Sequence, residues 1–487
     1  MTLSRKLQVL FLSLGKFITT LSAIVSSIAL SRLLSIDEYA NYRQTILVYA
    51  FITPLLSLGF DKAMFFNFEK NKENQQQQII NIQYVILSLA IIIAVFFIAG
   101  GNGLVSRLFN NSFIEKGVLI YSIFSIFNLP LLLLQPLLVI KQKVKLLTTF
   151  NIANKALSVV ITVIVAYFYR DANSVLISLL FVGILTFISV QIIILKNTTG
   201  NRNFNIDKKI INDYKVIGIP LVLASIMGVA AKNIDKLLIS TMMTPSDFAI
   251  YSNGALEIPL IGAITGAVMV VILSDFTKLL DKGKIEETFI LWGKAVGATS
   301  SILIPLMYLL LLNADWLIIT MYGEKYRNSA IPFSIYLLLI PIRTMTFSSI
   351  MTASGNTKLI MKGALYSTLF NIIFSTLLIY KIGFIGPAIA TVVSTYLLAI
   401  FYSYQISRDF KISIFDVFAI RQMRNYFLIG LISSLFSVVA LYLIEYFSVL
   451  KIVISNVIFV IVYIIGVIVS GKSRNYIYLF DIIKKSH

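Results

Sequence analysis

Of the 487 residues, 58% are hydrophobic and 13% charged, and mean hydropathy is +0.89; soluble domains carry about 25% charged residues, so the chain reads as an all-α polytopic membrane protein with little soluble mass. The net charge of +19 would suggest nucleic acid in a soluble protein, but here the basic residues are spread over many short loops, as membrane orientation requires, and nucleic acid is excluded as a partner. There is no Cys and the single His is His487, which excludes disulfides, thiolate nucleophiles, His general bases and Cys or His metal ligands.

The basic start at 1–6 leads into an apolar run at 7–34, interrupted by Lys16 and rich in Ser and Thr. It lacks a small-x-small cleavage pattern, so it reads as a retained helix and not a signal peptide. Further apolar segments follow, each long enough for a membrane helix and too long for a barrel strand. About fourteen spans are expected, numbered here in order: 11–34, 40–60, 79–100, 115–140, 148–169, 174–195, 216–242, 248–274, 289–312, 331–353, 359–380, 384–406, 425–447 and 450–470. The longest polar stretches are 61–78, 196–215 and 407–424. With a cytoplasmic N-terminus, the inner loops hold 27 of the 41 Lys and Arg and the outer loops hold 9. The positive-inside rule then leaves both termini cytoplasmic.

The chain repeats itself. Leu33-Leu34-Ser35-Ile36-Asp37-Glu38-Tyr39-Ala40-Asn41-Tyr42 follows span 1, and Met242-Met243-Thr244-Pro245-Ser246-Asp247-Phe248-Ala249-Ile250-Tyr251 follows span 7. The offset is 209 residues, and Pro130 in span 4 and Pro341 in span 10 stand 211 apart. Two parallel six-helix lobes are expected, at 1–200 and 212–406, followed by spans 13 and 14 within 420–470 and a cytoplasmic tail at 471–487. Parallel repeats of this kind are a transporter trait, with the substrate cavity between the halves.

The remaining five cations, Lys16, Lys155, Lys232, Lys236 and Arg343, are assigned to the interiors of spans, and those near span ends are counted with the adjoining loops. Each cation at mid-depth costs about 2.5–3.5 kcal/mol on insertion scales, so a wet cavity, internal pairing or snorkelling must accommodate them. Lys232 and Lys236 share a helix face, and Asp235 is close enough in sequence to pair with Lys232. Arg343 is the deepest and has no acid nearby in sequence. An excess of interior cations suits an anionic substrate, with Arg and Lys as phosphate ligands. Asp235 and Glu257 are the candidates for coupling to an ion, a proton or sodium. No cofactor is implied.

Several motifs resemble the bacterial oligosaccharide flippases, the O-antigen (Wzx-type) members of the multidrug/oligosaccharidyl-lipid/polysaccharide exporter superfamily. Ser31-Arg32-Leu33-Leu34-Ser35-Ile36-Asp37-Glu38-Tyr39 is similar to that family's Arg-x-Leu turn, and Asn233-Ile234-Asp235-Lys236 to its Asp-basic pair. Ala353-Ser354-Gly355-Asn356-Thr357-Lys358, then Asn371, then Gly383-Phe384-Ile385-Gly386-Pro387-Ala388-Ile389-Ala390-Thr391 resemble its later turns. Ser274-Asp275 departs from the pattern, where related chains often have Pro. The resemblance implies a V-shaped two-lobed fold around a central cavity in the bacterial inner membrane. It implies an undecaprenyl-pyrophosphate-linked oligosaccharide moved to the periplasmic leaflet by alternating access, with spans 13 and 14 holding the polyprenyl tail. Membrane lipids, a polysaccharide polymerase and chain-length machinery are the implied partners.

Two other transport readings stay open: a peptidoglycan lipid-precursor flippase and an ion-coupled multidrug exporter. The exporter predicts an acid-rich cavity, whereas this interior is net positive. A polymerase or glycosyltransferase would show a large periplasmic loop or an Asp-x-Asp motif, and the chain has neither, so it is not read as an enzyme.

Overall fold

The computed structural model describes residues 5–70, 74–200, 204–256, 258–443 and 448–471. Among these, every regular element is helical. Twelve helical stretches are long and apolar enough to cross a membrane, thirteen with one bent pair, and the stretch Thr357–Phe410 holds spans 11 and 12, which turn at Gly383–Ile385. Large apolar side chains such as Ile98, Phe168 and Tyr442 are mostly exposed, as a lipid-facing surface requires. The tail beyond Gly471 lies outside the described residues.

The repeated turn is a helix start in both copies. Ser35 caps span 2 by accepting from the Glu38 N–H at 3.2 Å. Thr244 plays the same part for span 8: its hydroxyl accepts from the Asp247 N–H at 3.1 Å, and Asp247 accepts from the Thr244 N–H at 3.3 Å. The second is a full capping box, in which a hydroxyl and a carboxylate satisfy the first free amides of a helix, and the first makes only the hydroxyl half of it. The residues that follow, Tyr39 and Ala40 in one copy and Phe248 and Ala249 in the other, are buried. A polar cap followed by an apolar plug explains why this turn is the most legible repeat.

The chain forms two compact units, 1–250 and 251–487. In the first, spans 2, 3, 4 and 6 and the first turns of span 7 enclose a core that includes Phe60, Met64, Ile82, Leu133, Val190 and Tyr214. Span 7, Lys208–Met242, is fastened to this unit throughout its length. Asn67 donates to the Asp213 carbonyl at 2.9 Å, Tyr214 donates to Gln78 at 3.0 Å, and Gln44 donates to Ser240 at 2.8 Å. In the second unit, spans 8, 9, 10, 12, 13 and 14 pack around a core that includes Trp292, whose indole N–H donates to the Val417 carbonyl at 2.9 Å. Span 14 joins span 9 through the Asn313–Asn456 amide pair, at 2.8 and 3.2 Å.

Candidate functional site

Span 10 does not run straight. Its segments Glu324–Leu337 and Ile340–Ala353 are bent by 44°. Pro341 has no N–H to give to the preceding turn, so the helix must break before it. A new turn, Ile340–Arg343, forms and stops at once, and helix resumes only at Phe347. Local chemistry explains the stop. The Thr344 hydroxyl donates to the Pro341 carbonyl at 2.8 Å, and the Thr299 hydroxyl of span 9, shared with the Ala295 and Val296 carbonyls of its own helix at 3.0 Å, lies 3.2 Å from the Thr344 carbonyl. Such side-chain bonds compete with the helix ladder.

Arg343 is the last residue of that short turn. Its neighbours Ile342 and Thr344 are buried while Arg343 is exposed. A cation is favoured at a helix C-terminus, where carbonyls lack partners. The break therefore presents a guanidinium, while the carbonyls around it are taken: those of Leu339, Ile340 and Ile342 accept backbone amides and that of Pro341 accepts a hydroxyl. The same break lines a cleft of about 370 Å³ with Tyr396, Phe418, Met423 and Phe427. The cleft walls are apolar, and Arg424 supplies a cation at its lining.

The other expected site residues lie in the first unit. Lys16 is on the exposed face of span 1, beside Gly15, which packs against Thr148 of span 5. Lys155 is half-buried on span 5, next to Asn154, whose side-chain oxygen accepts from Thr186 at 2.6 Å. On span 7, Lys232 is exposed, Lys236 half-buried and Asp235 only 3% exposed, so Lys232 and Asp235 occupy different surroundings. Glu257 lies outside the described residues. The structure thus brings Lys232, Asp235 and Lys236 onto one helix and Lys16 and Lys155 onto two packed neighbours. Arg343 belongs to the other unit.

One cation escaped the sequence reading. Residues 61–78 read as an inner loop, but span 2 continues as helix through Phe60–Asn67 and a 3-10 turn at Phe68–Lys70. Lys62 sits on this continuation and its ammonium donates to Ser225 on span 7. The missed signal was the periodicity of Phe60, Ala63, Met64, Asn67 and Phe68, all buried, which is the one-sided pattern of a packed helix.

Residues 29–331 match the family described as polysaccharide biosynthesis protein. No curated protein sequence matches this one. Among solved structures, the lipid II flippase MurJ in an inward closed conformation superposes with a TM-score of 0.74 at 18% identity, covering 94% of this chain and 98% of that one. An inward-facing multidrug resistance MATE family transporter of the MOP superfamily gives 0.57 at 13% identity, over 83% and 98% of the two chains. A MOP superfamily transporter from Pyrococcus furiosus, described by the reverse polarity of its binding pocket, gives 0.52 at 14%, over 85% and 98%. At these identities the likeness is one of fold.

Proposed function

Because the chain belongs to the polysaccharide biosynthesis protein family and has the fold of MOP-superfamily transporters, we propose that it flips undecaprenyl-pyrophosphate-linked oligosaccharide from the cytoplasmic to the periplasmic leaflet. The product serves surface polysaccharide synthesis, O-antigen or capsule, in the bacterial inner membrane with both termini cytoplasmic. The repeats at 1–200 and 212–406 act as the two halves of an alternating-access device, and spans 13 and 14 hold the polyprenyl tail. A polymerase and chain-length machinery receive the product.

The observation that carries this reading is Arg343, exposed at the break of an otherwise uncharged span. In our reading it binds the pyrophosphate, as a planar guanidinium does bidentately. Lys16, Lys155, Lys232 and Lys236 complete a positive path, and Asp235 and Glu257 couple movement to a proton or sodium gradient. The test is reconstitution with a polyprenyl-pyrophosphate oligosaccharide, followed by cleavage of exposed glycan with an external glycosidase. Protein-dependent exposure that is lost in Arg343→Ala, with folding intact, supports the reading. Full activity in that variant removes Arg343 from it. Asp235→Asn and Glu257→Gln should each blunt the response to an imposed ion gradient; if neither does, the coupling role is wrong.

The fold likeness to MurJ favours a second reading, a flippase for the peptidoglycan lipid precursor. Exposure of that precursor, with none of the surface oligosaccharides, would select it. Efflux of small cations without glycan exposure would select a multidrug exporter.

A further inference from the structure

The cleft at the break of span 10 is built by three spans of the second unit. Pro341, Ile342 and Met345 come from the break, Tyr396 from span 12, and residues within 420–428 from the start of span 13. Its floor is buried and its rim is open: Ile342 and Met423 are 9% and 4% exposed, Ile420 and Leu428 46% and 52%. The part on span 13 covers about 12 Å of helix, at about 1.5 Å per residue. A volume of about 370 Å³ falls in the range of sites that hold small ligands.

The polar groups along this trough are already used, except at one end. The Tyr396 hydroxyl donates to the Leu338 carbonyl at 2.9 Å. At the break, the amides of Arg343, Thr344 and Met345 bond to the Leu339, Ile340 and Ile342 carbonyls, and the Pro341 carbonyl takes the Thr344 hydroxyl. The exception is the guanidinium of Arg424, exposed near the start of span 13. Arg421, also exposed, stands three residues before it and so neighbours it on the helix surface. Among the described residues, neither makes an ion pair. Of the acids nearest in sequence, Asp409 is paired with Arg408 at 3.3 Å, and Asp416 lies on the short turn Ile414–Val417, outside the trough lining. A long cationic side chain at the end of a span reaches the headgroup layer. An apolar trough with a cation at its surface end matches an amphiphile with an apolar tail and an anionic head.

We propose that this cleft binds one anionic phospholipid from the leaflet that residues 407–424 face. Its phosphate accepts from Arg424, with Arg421 as a second cation, and one acyl chain lies along span 13 against Pro341, Ile342 and Met345. A guanidinium suits this head, since it can hold a phosphate through two parallel bonds, and cations at a membrane surface favour anionic lipids. The occupant is the resident lipid and not the transported one, because phospholipid phosphates crowd the mouth of the cleft and occupancy follows concentration. The acyl chain covers one side of the broken backbone, which cannot stand bare in hydrocarbon. It thereby steadies the turn Ile340–Arg343, and the lipid composition of the membrane regulates how Arg343 is presented. The regulatory step rests on the flippase reading; the binding site rests on the cleft alone.

The test is native mass spectrometry of the full-length protein in detergent, with phosphatidylglycerol, phosphatidylcholine or undecaprenyl pyrophosphate added. Phosphatidylglycerol should bind about tenfold more tightly than phosphatidylcholine, the effect of one charged contact. Arg424→Gln should lose most of that preference, and Arg424→Lys should keep most of it. Leu428→Trp, on the exposed rim, should weaken both phospholipids by narrowing the trough. Phosphatidylglycerol should also slow hydrogen exchange at residues 340–347 in the wild type and not in Arg424→Gln. Equal binding of the two phospholipids, or a preference unchanged in Arg424→Gln, overturns the site. Displacement of phosphatidylglycerol by an equal amount of undecaprenyl pyrophosphate gives the cleft to the transported lipid and overturns it too. In proteoliposomes, replacing phosphatidylglycerol by phosphatidylcholine should lower glycan exposure several-fold in the wild type and change nothing in Arg424→Gln. Equal transport by the wild type in both lipids overturns the regulatory step. Selective phosphatidylglycerol binding by a protein that moves no glycan in either lipid overturns the flippase reading alone.

Discussion

In the first unit, span 2 bends at Leu58-Gly59, where it meets span 7 backbone to backbone, glycine against glycine. In the second, span 10 bends around Pro341 and is fastened by hydroxyls, Thr344 on the Pro341 carbonyl and Thr299 on the Thr344 carbonyl. Each bend carries a cation within three residues, Lys62 in one and Arg343 in the other. Span 4, the sequence counterpart of span 10, also holds a proline, Pro130, yet its helix resumes at once as Leu131–Ile140. The residues after Pro130 are all leucine as far as Leu134, with no side chain able to compete for the backbone. The longer break has two hydroxyls beside its proline, and the shorter one has none among the four residues that follow it. At the position of Arg343, span 4 has Leu132. The guanidinium thus stands beside one of the two prolines and not beside the other.

The strongest way to break this comparison is to give span 10 the residue of span 4. Arg343→Leu should lower glycan exposure in proteoliposomes by about a hundredfold, the loss of a charged contact to phosphate of about 3 kcal/mol. Expression and thermal stability should hold or rise, because an exposed cation leaves an apolar span. Retained transport would mean that the asymmetry between spans 4 and 10 has no bearing on substrate.

The first unit's bend is best tested through its backbone. Gly59→Ala places a β-carbon at positive φ and against the Gly218 carbonyl. Strain and overpacking together should cost about 2–3 kcal/mol, seen as a lower melting temperature in detergent. An unchanged melting temperature would show that span 2 is not pinned to span 7 at this point.

These bends show what the sequence could and could not tell. Both prolines and the 211-residue offset were readable, as were the apolar spans and the five interior cations. The difference between spans 4 and 10 was not, because the packing beside Pro341 involves Thr299, which is remote in sequence. Lys62 was hidden for a related reason. Polar residues after Phe60 suggested a loop, and only the packing of Phe60, Met64 and Phe68 into the first unit's core keeps that segment helical. The tie of span 7 to spans 2 and 3 depends likewise on contacts such as Tyr214 to Gln78, which spacing does not announce.

A milder change should straighten span 10 without touching its charge. Thr344→Val removes the hydroxyl bonded to the Pro341 carbonyl at nearly constant shape. The direct cost is about 1 kcal/mol, the usual worth of one hydrogen bond. If the hydroxyl holds the break, hydrogen exchange at residues 345–347 should slow as helix extends toward Phe347, and transport should fall several-fold. Unaltered exchange would leave Pro341 alone responsible for the bend.

The smallest effect expected concerns the two repeated caps, which resemble each other in sequence but not in wiring. Thr244 and Asp247 satisfy each other reciprocally, and Pro245 at the first helical position is already shaped for the turn. At the first copy the reciprocal half is spent elsewhere: Glu38 accepts from the Ala172 N–H at 2.7 Å, at the start of span 6. Removing a capping hydroxyl costs about 1 kcal/mol. Thr244→Ala should lose that locally, because its carboxylate partner loses its hydroxyl donor as well, 2.6 Å away. Ser35→Ala should cost less, since Glu38 keeps its bond to span 6. Glu38→Gln is the informative partner: it weakens a tie between spans 2 and 6 that the second copy of the turn does not make through Asp247. Equal losses in Ser35→Ala and Thr244→Ala, measured by melting temperature under the same detergent, would show that the two turns are energetically as well as sequentially alike.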